Sequence, residues 1–441
     1  MLCPRSVAVT LAAGSLLAAG AAHGQSTLNL RPAIEEMTVP PPAPTLEVKP
    51  LEEIPPAPRK RARRADPYAP IGLRMGGITV FPAVTVGGGV SSNARRSATN
   101  AQPAVGLKLE PSLRFESDWV RHSWTGGASG DFIRYLKHGD ITSNSADIFS
   151  NLRLDVRHDT RADIDVSYTF DQSGLEDSDV PAAAVGYRNE HTAIVSGAVT
   201  HDFGLMQARV KAGGTGKIFD DVELAGGGSE DNSDRDYIEP SVSLRATYSD
   251  PPVFKPFVES AYLPRIYDKK FDRFGFRRSS QGYSASAGVI IDNEPFLTGE
   301  LAATYLFRDY DYAGLASNDA VGLTGNLTWS PTELTKMTLT AGTSLSDTVS
   351  ATSSSNRVWT VRVDASQALR DNVDLLAGAG VEIEDGSAGN DVTYDTTLGI
   401  SWKLGPSLAW TASYDATWLD AASSGRSYSE HRVSTGLTLS R

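Results

Sequence analysis

Arg161-Ala162-Asp163-Ile164-Asp165-Val166-Ser167-Tyr168-Thr169-Phe170-Asp171 separates by parity. Arg161, Asp163, Asp165, Ser167, Thr169 and Asp171 fall on one side, and Ala162, Ile164, Val166, Tyr168 and Phe170 on the other. Successive side chains of a strand point to opposite faces, so this stretch reads as a strand lying between water and an apolar medium. A soluble sandwich produces an occasional strand of this kind. Here the pattern recurs from about Gly76 to Arg441, and no helical periodicity of comparable length interrupts it.

Working outward, Val105, Leu107, Leu109, Leu113 and Phe115 alternate with Lys108, Glu110, Ser112, Arg114 and Glu116. Ile148, Leu152, Leu154 and Val156 alternate with Asn151, Arg153, Asp155 and Arg157, and Trp359, Val361 and Val363 with Thr360, Arg362 and Asp364. The stretches around Ser123–Tyr135 and Val253–Leu263 are weaker and are accepted as strands because their neighbours require them. Short turns are expected near Asp118–Arg121, His158–Arg161, Asp202–Gly204, Ser249–Pro252, Asp292–Pro295, Ser330–Glu333, Arg370–Asn372 and Lys403–Pro406. Between them lie Gly/Ser/Asp/Asn-rich connections such as Ser91–Gln102, Asp220–Arg235, Tyr267–Ser280 and Asp385–Asp391. Short and long connections alternate, the arrangement of a bacterial outer-membrane barrel with tight periplasmic turns and long outer loops. The fold class expected is all-β, an antiparallel transmembrane β-barrel of about 18 strands, with 16 as the alternative.

Composition agrees. Of 441 residues, 40 are Gly and 24 Pro, and 40% are hydrophobic. The mean hydropathy of −0.24 speaks against a bundle of membrane helices, but a barrel with a polar interior is compatible with it. A net charge of −12 makes nucleic acid an unlikely partner for the main body. The single cysteine is Cys3, so the rest of the chain has no disulfide, thiol chemistry or cysteine-zinc site.

Residues 1–24 read as a signal peptide: Arg5, the small-apolar run Val7–Ala22, and Ala22-His23-Gly24 before Gln25. That run, about 16 residues, is short of the roughly 20 that a spanning helix needs. Residues 25–70 read as a disordered, Pro-rich and basic periplasmic tail, with Pro40-Pro41-Pro42-Ala43-Pro44, Pro55-Pro56-Ala57-Pro58 and Arg59-Lys60-Arg61-Ala62-Arg63-Arg64. The barrel is expected over 71–441.

The charges that fall on the non-lipid face define the candidate lumen. They are Lys108, Glu110 and Arg114; Arg153, Asp155 and Arg157; Asp163 and Asp165; Arg209 and Lys211; and Glu239 and Arg245. Glu300 and Arg308, then Arg362 and Asp364, then Asp395 and Lys403 complete the set. An Arg or Lys on the lipid side costs about 2–4 kcal/mol at the midplane, which fixes the facing. Tyr and Trp near strand ends (Trp124, Tyr135, Tyr168, Tyr248, Tyr262, Trp329, Trp402, Trp418) are expected to form interfacial girdles.

Two outer loops stand out. Gly226–Asp236 is acidic and offers oxygens to a divalent cation, though without EF-hand spacing; a solvated loop is the plainer reading. Lys269, Lys270, Phe271, Arg273, Phe274, Phe276, Arg277 and Arg278 interleave aromatic and basic side chains, a chemistry that suits acidic glycan or lipopolysaccharide. No hydrolase elbow, zinc-protease or phosphate-loop motif occurs, so no catalytic residue, cofactor or metal is assigned and the chain is not expected to be an enzyme.

Asp66-Pro67-Tyr68-Ala69-Pro70-Ile71-Gly72-Leu73-Arg74, leading into Thr79-Val80-Phe81-Pro82-Ala83-Val84 and closing near Asn93, resembles the opening of the putative beta-barrel porin 2 family. The last strand, with Gly436 and Leu439, resembles the terminal signal read by barrel-assembly machinery, except that it ends in Arg441 where an aromatic is usual. The family resemblance implies a channel in the bacterial outer membrane, in contact with lipid and lipopolysaccharide. It also implies export of a surface polysaccharide or exopolysaccharide with a periplasmic export protein, which residues 25–70 would reach. The alternative is a general diffusion porin, or a structural barrel, for small solutes.

Overall fold

The computed structural model describes residues 67–136, 142–174, 180–181, 183–185, 187–348, 355–386, 389–423 and 425–441. Its frame is 18 long strands. The first six are β1 (Ile78–Ser91), β2 (Ala104–Ser117), β3 (His122–Tyr135), β4 (Thr142–Arg157), β5 (Thr160–Ser173) and β6 (Arg188–Asp202). There follow β7 (Met206–Phe219), β8 (Tyr237–Tyr248), β9 (Phe254–Tyr262), β10 (Ser280–Asn293), β11 (Leu297–Tyr310) and β12 (Asn318–Thr332). The last are β13 (Thr335–Asp347), β14 (Ser355–Arg370), β15 (Val373–Gly386), β16 (Gly389–Gly405), β17 (Leu408–Asp420) and β18 (Tyr428–Ser440). Each pairs antiparallel with the next, and β18 returns to β1, with Ala83↔Ser440 through Ser91↔Arg432 in register. The sheet is closed.

Closure is what a hydrocarbon environment demands, because every backbone N–H and C=O at membrane depth must be paired within the protein. Among the described residues no helix is long and apolar enough to cross a membrane; the strands cross instead. They are 9 to 17 residues long, and about 9–11 tilted residues suffice for the hydrocarbon layer, so most overhang it. The two weakly patterned stretches are genuine strands, β3 and β9. Three expectations need correction. The connection expected over Asp385–Asp391 is nearly absent, because Glu384↔Asp391 and Asp385↔Asn390 continue the ladder until only residues 387–388, outside the described set, separate β15 from β16. Polar pairs are no obstacle to extending a ladder beyond the lipid. Residues 67–70, assigned from sequence to the tail, are described directly before the short strand Leu73–Met75, which pairs with Ile78–Val80. The rest of the tail, and the signal segment, lie outside the described residues.

The third correction concerns Tyr135. Its side chain points inward and packs with Ala94, Ala104 and Ile133 under the first outer loop, because Tyr135 shares parity with the inward Asp131 and Ile133. Other girdle residues do face out: Tyr248, Trp329 and Trp402 are exposed near the short-turn end, and Tyr262 and Trp418 near the other. Between the two bands the outward side chains are Val86, Leu107, Ile164, Val210, Leu244, Val363, Leu398 and Leu437, all exposed. Large apolar side chains facing outward around a whole barrel are a lipid-contacting band.

At the closing seam Gly87 stands opposite Gly436. A Cβ on Gly87 would lie 2.2 Å from the Thr435 carbonyl oxygen and 2.7 Å from Gly436 Cα. Gly87→Ala should therefore destabilise the barrel by about 1–3 kcal/mol, the range for forcing extra volume into a packed site. Gly216→Ala, with nothing within 4 Å, should be close to neutral. The temperature at which the compact, heat-modifiable gel band disappears measures both.

Candidate functional site: the inner wall and the outer mouth

Alternation places one side chain in two on the face opposite the lipid band, and there the charges meet. Arg245 on β8 binds Glu259 on β9 at 2.6 Å and Glu300 on β11 at 2.7 Å. Arg308 on β11 reaches back to Glu239 on β8 at 2.8 Å. Three strand steps measure about 14 Å along a flat sheet, more than one arginine can span. Arg245 and Glu259 are direct cross-strand neighbours, whereas the contacts with Glu300 and Glu239 form because this face is concave.

The other sequence-derived positions assemble in the same way. Lys108 lies 3.0 Å from Glu110, and Arg114 lies 4.0 Å from Glu116 with its guanidinium over Phe81. Arg153 binds Asp155 at 3.1 Å, and Arg209 binds Asp163 at 2.9 Å. Asp165 accepts a bond from Asn151 at 2.8 Å, and Lys211 is buried in register with Ala198 and Ser243. Arg362 holds Asp364 at 2.9 Å and also Asp395, and Lys403 binds Asp374 at 3.2 Å. Arg157 stands apart, past a register shift at the β4–β5 turn.

Sequence reasoning missed several participants. Asp131, buried and 3.4 Å from Lys108, lies on β3, where Gly126, Gly127 and Gly130 blur the alternation. Lys108 is its ion-pair partner, shared with Glu110. Glu259 lies on the weakly patterned β9. Glu190 with Arg188 and Lys217, and Glu430 with Arg96 and Arg432, sit where strands run into outer loops. Inward parity extended past the apolar part of each strand is the signal that identifies them.

Exposure differs between the two ends of the wall. Near the short turns the Arg153 and Glu300 side chains are 49% and 40% exposed. Near the long loops Arg188, Arg308 and Glu430 are 2%, 4% and 4% exposed. The charged side chains where strands run into the outer loops are thus the more deeply covered ones.

Those loops are tied together by ion pairs. Arg273 is gripped by Asp234 through two bonds of 2.8 and 2.9 Å, by Asn232 Oδ1 at 3.0 Å, by the Asp231 carbonyl at 3.1 Å, and by Glu230. Lys269 binds Asp231 at 2.8 Å. The acidic loop and the basic loop thus satisfy each other, and among the described residues no group of His, Cys, Asp or Glu side chains is arranged to hold a metal ion. Arg278 is buried against Asp272 at 2.6 Å, and Phe276 packs on Tyr312 at 5.4 Å. Phe271, Phe274 and Arg277 remain exposed, with Lys270 beside the Phe271 ring.

Residues 66–441 match the family described as Putative beta-barrel porin 2. The chain belongs to that family. A porin-like barrel and a bacterial outer-membrane location follow from that membership. No protein of curated function matches the sequence. Among solved structures, the outer membrane protein OpdK from Pseudomonas aeruginosa is similar at 13% identity and a TM-score of 0.38, over 82% of this chain and 99% of that one. OpdL from the same organism is similar at 12% identity and a TM-score of 0.40, over 83% and 99%. The ferric-catecholate import receptor Fiu from E. coli K12 is similar at 10% identity and a TM-score of 0.36, over 82% and 81%.

One loop carboxyl has a pH signature. Burial pushes Asp236 up to about 6, with Asp268 and Asp231 adding to the rise against the bond from the Phe219 N–H. The folded loop therefore prefers the protonated acid. Its stabilisation is complete below the ordinary value of 3.8 and is lost as pH rises through about 6. Asp231 is held below its ordinary value by Lys269 and Ser233. Asp234 is held below its own, against the rise from burial, by Arg273. The contributions of these two are lost only at more acid pH. Hydrogen exchange across 230–236, corrected for intrinsic rates, should be slower at about pH 4.5 than at about pH 7 in the native chain and should level out in Asp236→Asn.

Proposed function

We propose that the barrel is a water-filled channel for small polar solutes. The observation that supports this reading is the belt of paired charges of both signs on the concave face, against a band of large apolar side chains outside. Ionised groups in a dry, low-dielectric interior cost several kcal/mol each, so a wall so densely charged suits a hydrated path. About 18 strands give an interior wide enough for one. The positions named from sequence, from Lys108 to Lys403, are in this reading the lining of that path.

On β14–β17 the inward acids Asp364, Asp374, Glu382, Glu384, Asp391, Asp395 and Asp415 outnumber the bases Arg362 and Lys403. A wall of one dominant sign raises the local concentration of its counter-ion. The purified protein in a planar bilayer should give discrete conductance steps, and a KCl gradient should give a reversal potential on the potassium side. Glu382→Gln with Glu384→Gln and Asp391→Asn should lower the potassium preference by on the order of twofold. The absence of any conductance step would remove the channel reading.

A narrower use, passage of a polysaccharide in step with a periplasmic protein engaged by residues 25–70, rests on the family resemblance and on that basic, Pro-rich sequence. Residues 1–24 are, in the same proposal, the secretion signal that delivery to the outer membrane requires. Contact of the outer loop with lipopolysaccharide falls in this proposal to Lys270, Phe271, Phe274 and Arg277, since Arg273 and Arg278 are engaged within the protein.

A further inference from the structure

The connection between β9 and β10 does not stay above its own hairpin. Arg273, near its tip, is fastened to the loop between β7 and β8 through Asp234, Asn232 and Glu230. At its far end the Arg278 guanidinium donates to the carbonyl of Thr348, the residue after β13. Asp272 ties the two halves together: it accepts the Phe274 N–H at 2.9 Å, the Phe276 N–H at 2.8 Å and Arg278 Nε at 2.6 Å. The turn closes through Gly275, whose φ of +83° suits glycine.

From β10 to β13 the wall extends about 14 Å, which no single side chain covers. Loops from β7 to β13 meet at one turn only by leaning off the rim and over the mouth. Directly below this turn the inner wall is itself cross-tied, Arg308 donating to Ser280 Oγ at 3.0 Å and to Glu239 at 2.8 Å.

We infer that Arg273 and Arg278 fix the upper size of solute the barrel admits, by fastening this loop as a strap across the outer opening. The inference rests on the channel reading above. In it the two arginines determine specificity without touching the solute. The strap excludes by width, and its width is set by how tightly Arg273 is held in the acidic loop.

Swelling of liposomes carrying the full-length protein, in neutral sugars from a monosaccharide to a tetrasaccharide, tests this. Arg273→Gln should raise entry of the tetrasaccharide relative to the monosaccharide by on the order of tenfold, since passage falls steeply as a solute approaches the pore width. Glu230→Gln with Asp234→Asn removes the same clasp from its other side and should act alike, and the triple variant should go no further than either, which keeps the test valid if one variant folds poorly. An unchanged sugar ratio in variants with normal heat-modifiable migration overturns the strap. Failure of even the monosaccharide to enter through the native protein overturns the channel reading and the strap's role with it, and is told apart by the flat trace for every sugar.

Discussion

The structure depends on closure of the sheet where Ala83–Ser91 meets Arg432–Ser440. An open edge in hydrocarbon leaves a row of unpaired N–H and C=O groups, each costing several kcal/mol. Other neighbours in the wall are joined by a turn or loop, but this pair joins the first and last strands of the frame. Side chains reinforce it at the outer end. Ser91 Oγ donates to Glu430 at 2.8 Å, Arg96 approaches the same carboxylate at 3.2 Å, and the Ser92 N–H donates to the His431 carbonyl at 2.9 Å. Asn93 donates to the carbonyls of Ser97 and Ser429. The first outer loop therefore doubles as a clasp on the seam.

Once the sheet is closed, its two faces lie in different solvents. Outward positions lose nothing by being apolar, and inward positions can carry charge because water and opposite charges are at hand. Cross-strand pairs contribute only about 0.2–1 kcal/mol each, so the inner ladder is a minor source of stability beside backbone pairing. Its larger effect is on what the interior can hold. Arg245 between Glu259 and Glu300, and Glu239 between Arg265 and Arg308, cross several strands and brace the curvature of the wall while leaving it polar.

How much of this was legible in the sequence follows from the same division of faces. Arg161–Asp171 read correctly because each of its residues obeys the alternation, and Asp163 and Asp165 take their places beside Arg209 and Asn151. The short turns read correctly because charged and turn-forming residues interrupt the apolar series there. Asp131 escaped because small residues carry little facing information. Glu190 and Glu430 escaped because strands overhang the lipid, where the outward face need no longer be apolar. Tyr135 lies inside because an aromatic residue marks an interface only if its parity is outward. The mutual neutralisation of Glu230–Asp234 and Lys269–Arg273 was not legible, because contact between loops of different hairpins depends on how far each leans, and local pattern does not encode that.

The same edge requirement explains the start of the barrel. β2 covers one edge of β1 along its full length, from Ile78↔Ser117 to Ser91↔Ala104. β18 covers the other edge only from Ala83 upward, and the Arg441 N–H adds one bond to the Pro82 carbonyl. Ile78, Thr79 and Val80 would be left with a bare edge at the periplasmic rim. Leu73–Met75 folds back through Gly76, whose φ of +66° permits the tight reversal, and pairs with those three residues. Arg74 then contacts Asp118 in the first short turn, tying the returning segment to β2's end. A bare edge invites pairing with another chain, so the segment just before β1 serves the closure as directly as β18 does.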